Sequence, residues 1–237
     1  MTVAARLDQV LDSIDIAAAR SSRSAEQITL VAVSKKQPLA LMHDYVEAAA
    51  RRSIPVVFGE NYVQELKEKR AQFTPDQSFH LLGPVQSNKM RDAVKYADVI
   101  QSACSESNLH TIIKEARAQG KRQAVLIQVN VGNDPRKSGF SLQQIPDVLV
   151  KLTEHASSLK LLGLMTITPY YQIVEDARPD FIKMRQLRDE LRSGPLADLF
   201  VNSTPLLSMG MSADFHIAIE EGADIVRIGT AIFGERQ

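Results

Sequence analysis

The sequence predicts an α/β protein built as a closed (β/α)8 barrel of the TIM type, and three observations carry that prediction. Eight short apolar runs, rich in β-branched residues, are spread along the 237 residues. An amphipathic stretch follows seven of them, and another opens the chain. Strands that alternate with helices need crossover connections, which make neighbouring strands parallel, and eight such units in this length suit a sheet closed on itself. An open doubly wound sheet is the alternative topology.

Residues 3–19 place Val3, Leu7, Val10 and Ile14 at helical spacing behind Thr2, a good N-cap. The run 28–33 is the first strand, and Pro38 suits the first turn of a helix reaching about Arg52. Further strands are predicted at 56–58, 79–82, 99–101, 124–131, 159–166, 206–208 and 225–228. Helices are predicted at 61–73, 88–96, 106–119, 142–155, 175–192 and 212–220, with the N-terminal helix replacing one after the eighth strand. No repeat, low-complexity tract or Gly/Ser linker interrupts the pattern, so residues 1–237 read as a single domain.

Composition narrows the function classes. Lys+Arg and Asp+Glu number 28 each, so the net charge is zero and nucleic acid or an anionic membrane is a poor first expectation for a partner. A hydrophobic content of 44% with 24% charged residues is that of a packed globular protein. The single cysteine, Cys104, can form neither an internal disulfide nor a cysteine-based metal site. The N-terminus carries acids within its apolar pattern, unlike a signal peptide, and no run of about 18 apolar residues occurs. A soluble, cytoplasmic protein is expected.

In such a barrel the chemistry lies at the carboxyl ends of the strands. The polar residues there are Ser34 and Lys35, Glu60 and Asn61, then Gly83, Asn130, Thr166, Ser208 and Arg227. Lys35 follows a buried strand directly; desolvated, its amine could form a Schiff base, although an exposed loop lysine reads the same way. Ser212 stands as an N-cap before the helix at 212–220, so Gly210, Met211 and Ser212 could hold a phosphate, joined by Gly229 and Thr230 after the last strand. A glycine turn with a capping serine is also common without any ligand. Arg227 lies two residues before Gly229, on the same inward face, and needs an acceptor: a pyridine nitrogen, a carboxylate, a phosphate, or an internal partner such as Glu60. His43, His80, His110, His155 and His216 show no metal-ligand spacing, and His80 reads as a hydrogen-bonded core residue.

The stretches AVSKKQP (32–38), FGENYVQEL (58–66), FHLLGPVQSNK (79–89), VNVGNDPRKSGF (129–140), GLMTI (163–167), LSMGMSADFHIAI (207–219) and VRIGTAIFGER (226–236) occur in order over almost the whole chain. In these the chain resembles the pyridoxal-phosphate homeostasis proteins, whose barrel is similar to the N-terminal domain of alanine racemase. The resemblance implies that Lys35 carries pyridoxal 5'-phosphate as an internal aldimine. It implies that Arg227 faces the pyridine nitrogen, that Ser212, Gly229 and Thr230 hold the phosphate, and that Asn61 borders the ring. His216 departs from the acidic residue often found there and is expected to face elsewhere; Lys137 is expected near the mouth, as a solvated lysine or a secondary amine for the cofactor.

By the same resemblance the function is that of a non-enzymatic carrier maintaining vitamin B6 homeostasis, a small-molecule binder that releases the cofactor to apo-enzymes, with no nucleic acid, membrane or metal. An arginine at the pyridine nitrogen disfavours its protonation and weakens the ring as an electron sink. Racemisation remains possible with this pairing but would need a second acid/base on the opposite face, which by the resemblance alanine racemase completes across a subunit interface beside a β domain not expected here. Tyr62, Tyr170 or Tyr171 would have to supply it. A minimal racemase is therefore the alternative, and a Schiff-base aldolase a third class. A monomer is expected.

Overall fold

The structure, a computed structural model, describes residues 1–135 and 137–235. Arg136 of the PRKSG loop and Arg236 at the end of the last stretch lie outside the described residues. Eight parallel strands close into a barrel in chain order: β1 (Thr29–Val33), β2 (Val57–Glu60), β3 (Ser78–Leu81), β4 (Val99–Ala103), β5 (Gln123–Val129), β6 (Leu159–Thr166), β7 (Leu206–Met211) and β8 (Ile225–Ile228). Closure is made by β1 against β8, with Val31 opposite Arg227 and Ala32 opposite Ile228. The open doubly wound alternative is thereby excluded.

The outer helices are α1 (Val3–Arg20), α2 (Leu39–Arg51), α3 (Val63–Arg70), α4 (Met90–Tyr96), α5 (Glu106–Ala118), α6 (Ile145–Leu152), α7 (Arg178–Ser193), α8 (Phe215–Glu220) and α9 (Thr230–Phe233). Thr2 caps α1, its hydroxyl accepting from the Ala5 N–H at 3.3 Å, as its position in the sequence suggests. Helix α9 is a correction, since the pattern placed none after the eighth strand. One turn suffices to bury Ile232 and Phe233 before Gly234 ends it at a φ of 86°. Helix α8 is a second correction: it starts at Phe215, three residues later than the pattern placed it.

Two apolar layers follow from the alternation of strand side chains. Outward residues such as Leu30, Ala32, Phe58, Phe79 and Ile228 pack with the helices in the main core. Inward residues Val31, Val57, Val99, Leu126, Met165 and Ile225 form a separate plug inside the barrel. The plug closes the amino-terminal part of the interior, so the barrel is not a pore. Above it the inward residues become polar.

Gly163 shows how tightly the wall is drawn. A Cβ there would fall 2.0 Å from the Leu206 carbonyl oxygen on the neighbouring strand, a backbone atom with nowhere to move. Gly163→Ala is expected to lower unfolding stability by about 3 kcal/mol or more, beyond ordinary overpacking because β6 and β7 must separate. Urea denaturation of wild type and variant measures it.

Candidate functional site

On β8, Ile225 belongs to the plug and Arg227 is the next inward residue, only 5% exposed. Its guanidinium donates from Nη1 to Ser208 Oγ at 2.7 Å and from Nη2 to the Thr166 carbonyl at 2.7 Å. The Ser208 hydroxyl donates its one proton to Gln101 Oε1 at 2.6 Å, and Gln101 Nε2 lies 2.8 Å from His80 Nδ1. An amide nitrogen only donates, so His80 Nδ1 accepts and its ring proton sits on Nε2. The chain Arg227, Ser208, Gln101, His80 thus runs in one donor direction across β8, β7, β4 and β3. Burial holds the His80 imidazole neutral, pushing its pKa down to about 4. Burial also lowers Arg227 to about 10, opposed by the charge of Asp214, so the guanidinium stays a cation at neutral pH.

Glu60 is not the partner of Arg227. It points to the outer layer, where its Oε1 accepts from Ser34 Oγ at 2.6 Å and from Lys69 Nζ at 2.8 Å. Lys69 also donates to the Ser34 carbonyl and to Glu65 Oε1, both at 2.6 Å, and Glu65 Oε1 accepts from the Lys36 backbone N–H at 2.5 Å. Buried Lys69 therefore ties the turn after β1 to α3, and half-buried Lys35 stands on that turn at the barrel mouth. Burial raises the Glu60 pKa, although Lys69 and Ser34 pull it down. Sequence reasoning missed Glu65 and Lys69. Their i,i+4 spacing on a highly charged helix was the available signal, but most such pairs are solvated.

Ser212 is in place but not as an N-cap. Asp214 Oδ1 accepts from the Met211 N–H at 2.6 Å, closing a turn that delays α8 to Phe215, so the Met211 N–H is already engaged. Ser212 Oγ instead accepts from the Gly229 N–H at 3.3 Å, joining the loops after β7 and β8. A Cβ on Gly229 would approach the Val33 carbonyl oxygen to 3.3 Å, on the strand that leads to Lys35. Thr230 begins α9 and is exposed. The structure thus brings together Ser212, Gly229 and Thr230 beside the end of β1.

Asn61 is half-buried at the end of β2, against Gly83, where a Cβ would lie 2.3 Å from the Asn61 carbonyl oxygen. Lys137 Nζ donates to the Thr168 carbonyl at 2.5 Å and lines a cavity of about 230 Å3 at the mouth with Gln128 and Asn130. His216 packs edge-on to Phe215. Tyr171 donates to Asp180 at 2.7 Å, its phenol pushed up to about 12 by burial and then by that carboxylate, while Tyr62 and Tyr170 are exposed. Among the described residues no cluster could hold a metal ion, and no helix is long and apolar enough to cross a membrane.

Residues 7–237 match the family model described as alanine racemase, N-terminal domain. The pyridoxal phosphate homeostasis protein of Aquifex aeolicus is 39% identical over the full length of both chains. The chain belongs to the pyridoxal phosphate homeostasis protein family. PipY of Synechococcus elongatus PCC7942, solved with PLP bound, superposes with a TM-score of 0.82 at 31% identity, covering 98% of this chain and 100% of that one. Alanine racemase of Corynebacterium glutamicum, at 16% identity and a TM-score of 0.69, shares the fold over 97% of this chain and 62% of its own.

Two expectations test this geometry. Neutral His80 has a folded pKa of about 4 against about 6.5 unfolded, so the unfolded chain binds the extra proton between those values. Stability is full above pH 6.5 and falls as pH drops towards 4, by about 3 kcal/mol for this group. His80→Asn should flatten that slope in urea melts at pH 7 and 4.5. Lys69→Met leaves two carboxylates without their cation and should cost about 3 kcal/mol at pH 7, measured in the same way.

Proposed function

We propose that this chain binds pyridoxal 5'-phosphate through Lys35 and holds it for release, without catalytic turnover. The observation that carries the reading is Arg227: a buried guanidinium on the inner wall, bonded to neutral partners, at the mouth where Lys35 stands. The residues present fit the group. Lys35 offers an amine, Arg227 offers a cation with donors beyond the two already engaged, and the Gly229 gap with Ser212 and Thr230 offers a cradle that a side chain on Gly229 would narrow. Asn61, at the adjacent strand end, would border the ring.

When bound, the cofactor supplies an aldehyde that condenses reversibly with amines. Lys35 anchors it, and the Ser34, Glu60, Lys69 cluster fixes the turn from which Lys35 reaches. Arg227 would donate to the ring nitrogen; being a cation at neutral pH, it would disfavour protonation there. The Ser212 hydroxyl proton and the Thr230 N–H would meet the phosphate, with the Gly229 N–H holding the Ser212 oxygen in place, which requires no basic surface and agrees with a net charge of zero. Tyr171 is committed to Asp180, which supports the absence of a poised second acid. The mouth stays open, so amines on apo-enzymes or in solution can reach the bound aldehyde; a cytoplasmic location suits that exchange. The kinship with proteins named for homeostasis supports the same reading.

The purified chain should show the visible absorption band of lysine-bound pyridoxal phosphate, and Lys35→Ala should abolish that band. An unchanged spectrum sinks the assignment. With amino acids in deuterium oxide, α-hydrogen exchange should stay below one equivalent per chain; sustained exchange would establish the racemase alternative.

A further inference from the structure

We propose that the cavity of about 430 Å3 beside the Lys35 turn is a second anion site, suited to a phosphate monoester with a small apolar body. Ser212, Gly229 and Thr230 do not line it, and the proposal does not depend on how the mouth is read. The cavity opens between the turn after β1, the start of α2, the first turn of α1 and the end of α9. Its size lies within the range of small-ligand pockets.

Gln37 is the decisive residue. It lines this cavity at 8% exposure, yet its side-chain amide has no hydrogen-bond partner among the described residues. The amide is not sealed from solvent, and an anionic ligand in the cavity would take the place of water as its acceptor. Beside it α2, 13 residues long, begins behind Pro38 with no side-chain cap, so its first N–H groups and the positive end of its dipole face the same space.

The charged walls agree. Arg6 and Lys36 line the cavity, and neither side chain has an ion-pair or hydrogen-bond partner among the described residues. The Arg6 guanidinium lies against the backbone of Gly234, where a Cβ would fall 2.5 Å from Nη1, so the glycine makes room for it. Glu235, also in the wall, is the one opposing charge among the described residues. Two cations, a helix start and a free amide converge as a phosphate requires. Leu41 and Phe233 supply an apolar surface that bare phosphate would leave unused. Lys36 and Gln37 belong to the turn that carries Lys35, so an occupant would also restrain that turn.

Phenyl phosphate and inorganic phosphate are the probes, titrated into the purified chain while amide and side-chain NH2 signals are followed by 15N NMR. Phenyl phosphate should shift the Gln37 side chain and the Leu39 and Ala40 amides saturably, and bind more tightly than inorganic phosphate. Arg6→Gln should weaken it about tenfold, Lys36→Gln should weaken it less, and Glu235→Gln should tighten it about threefold. Lys36 is exposed, so its variant keeps the test valid if Arg6→Gln does not fold. Shifts confined to Gly229 and Thr230, affinity indifferent to the folded variants, or equal binding of the two probes would overturn the proposal.

Discussion

Everything at the mouth of this barrel depends on holding one guanidinium inside it. Burying a cation is costly unless its donors are satisfied, and Arg227 is satisfied by a hydroxyl and a carbonyl rather than a carboxylate. That choice keeps the positive charge uncompensated by a direct partner. It commits β7, β4 and β3 to supply Ser208, Gln101 and His80 in one donor direction, because flipping the Gln101 amide would set its oxygen against the acceptor nitrogen of His80 and leave the Ser208 proton without its acceptor. The apolar plug beneath fixes the height at which the polar layer begins.

A second constraint acts from outside the wall. The strand alternation that turns Arg227 inward turns Ser34 outward, onto Glu60 and Lys69. Four groups from β1, β2 and α3 are needed to tie down a single turn, and the product is a fixed point of departure for Lys35. The two arrangements meet at the β1 and β8 pair, where Val31 lies opposite Arg227 and Gly229 approaches Val33. Lys35, Arg227 and the Ser212–Gly229 contact are thus placed by adjacent strands, which resist displacement better than loops do.

The barrel was legible because each strand is a short β-branched run and each crossover carries a helical period, so local pattern and closure agree. The placement of Lys35 and Arg227 at strand ends was legible from the apolar runs that precede them. Helix starts were not: the Ser212 position has the right residue for a cap, but the Asp214 carboxylate takes the Met211 N–H and sets the boundary later. Helix α9 escaped notice because four residues are too few to show a period. Lys69 and Gln101 were invisible for a different reason. Their meaning lies in partners 35 and 107 residues away, which no local window contains.

In the proposed binding mode Arg227 would hold the ring nitrogen of the cofactor unprotonated, which weakens the ring as an electron sink. The most direct measurement is the 15N chemical shift of pyridoxal phosphate labelled at the ring nitrogen and bound to the purified chain. A pyridine-like shift that stays constant from pH 6 to 9 is the expected result. A pyridinium shift in the wild-type chain at neutral pH would contradict the account.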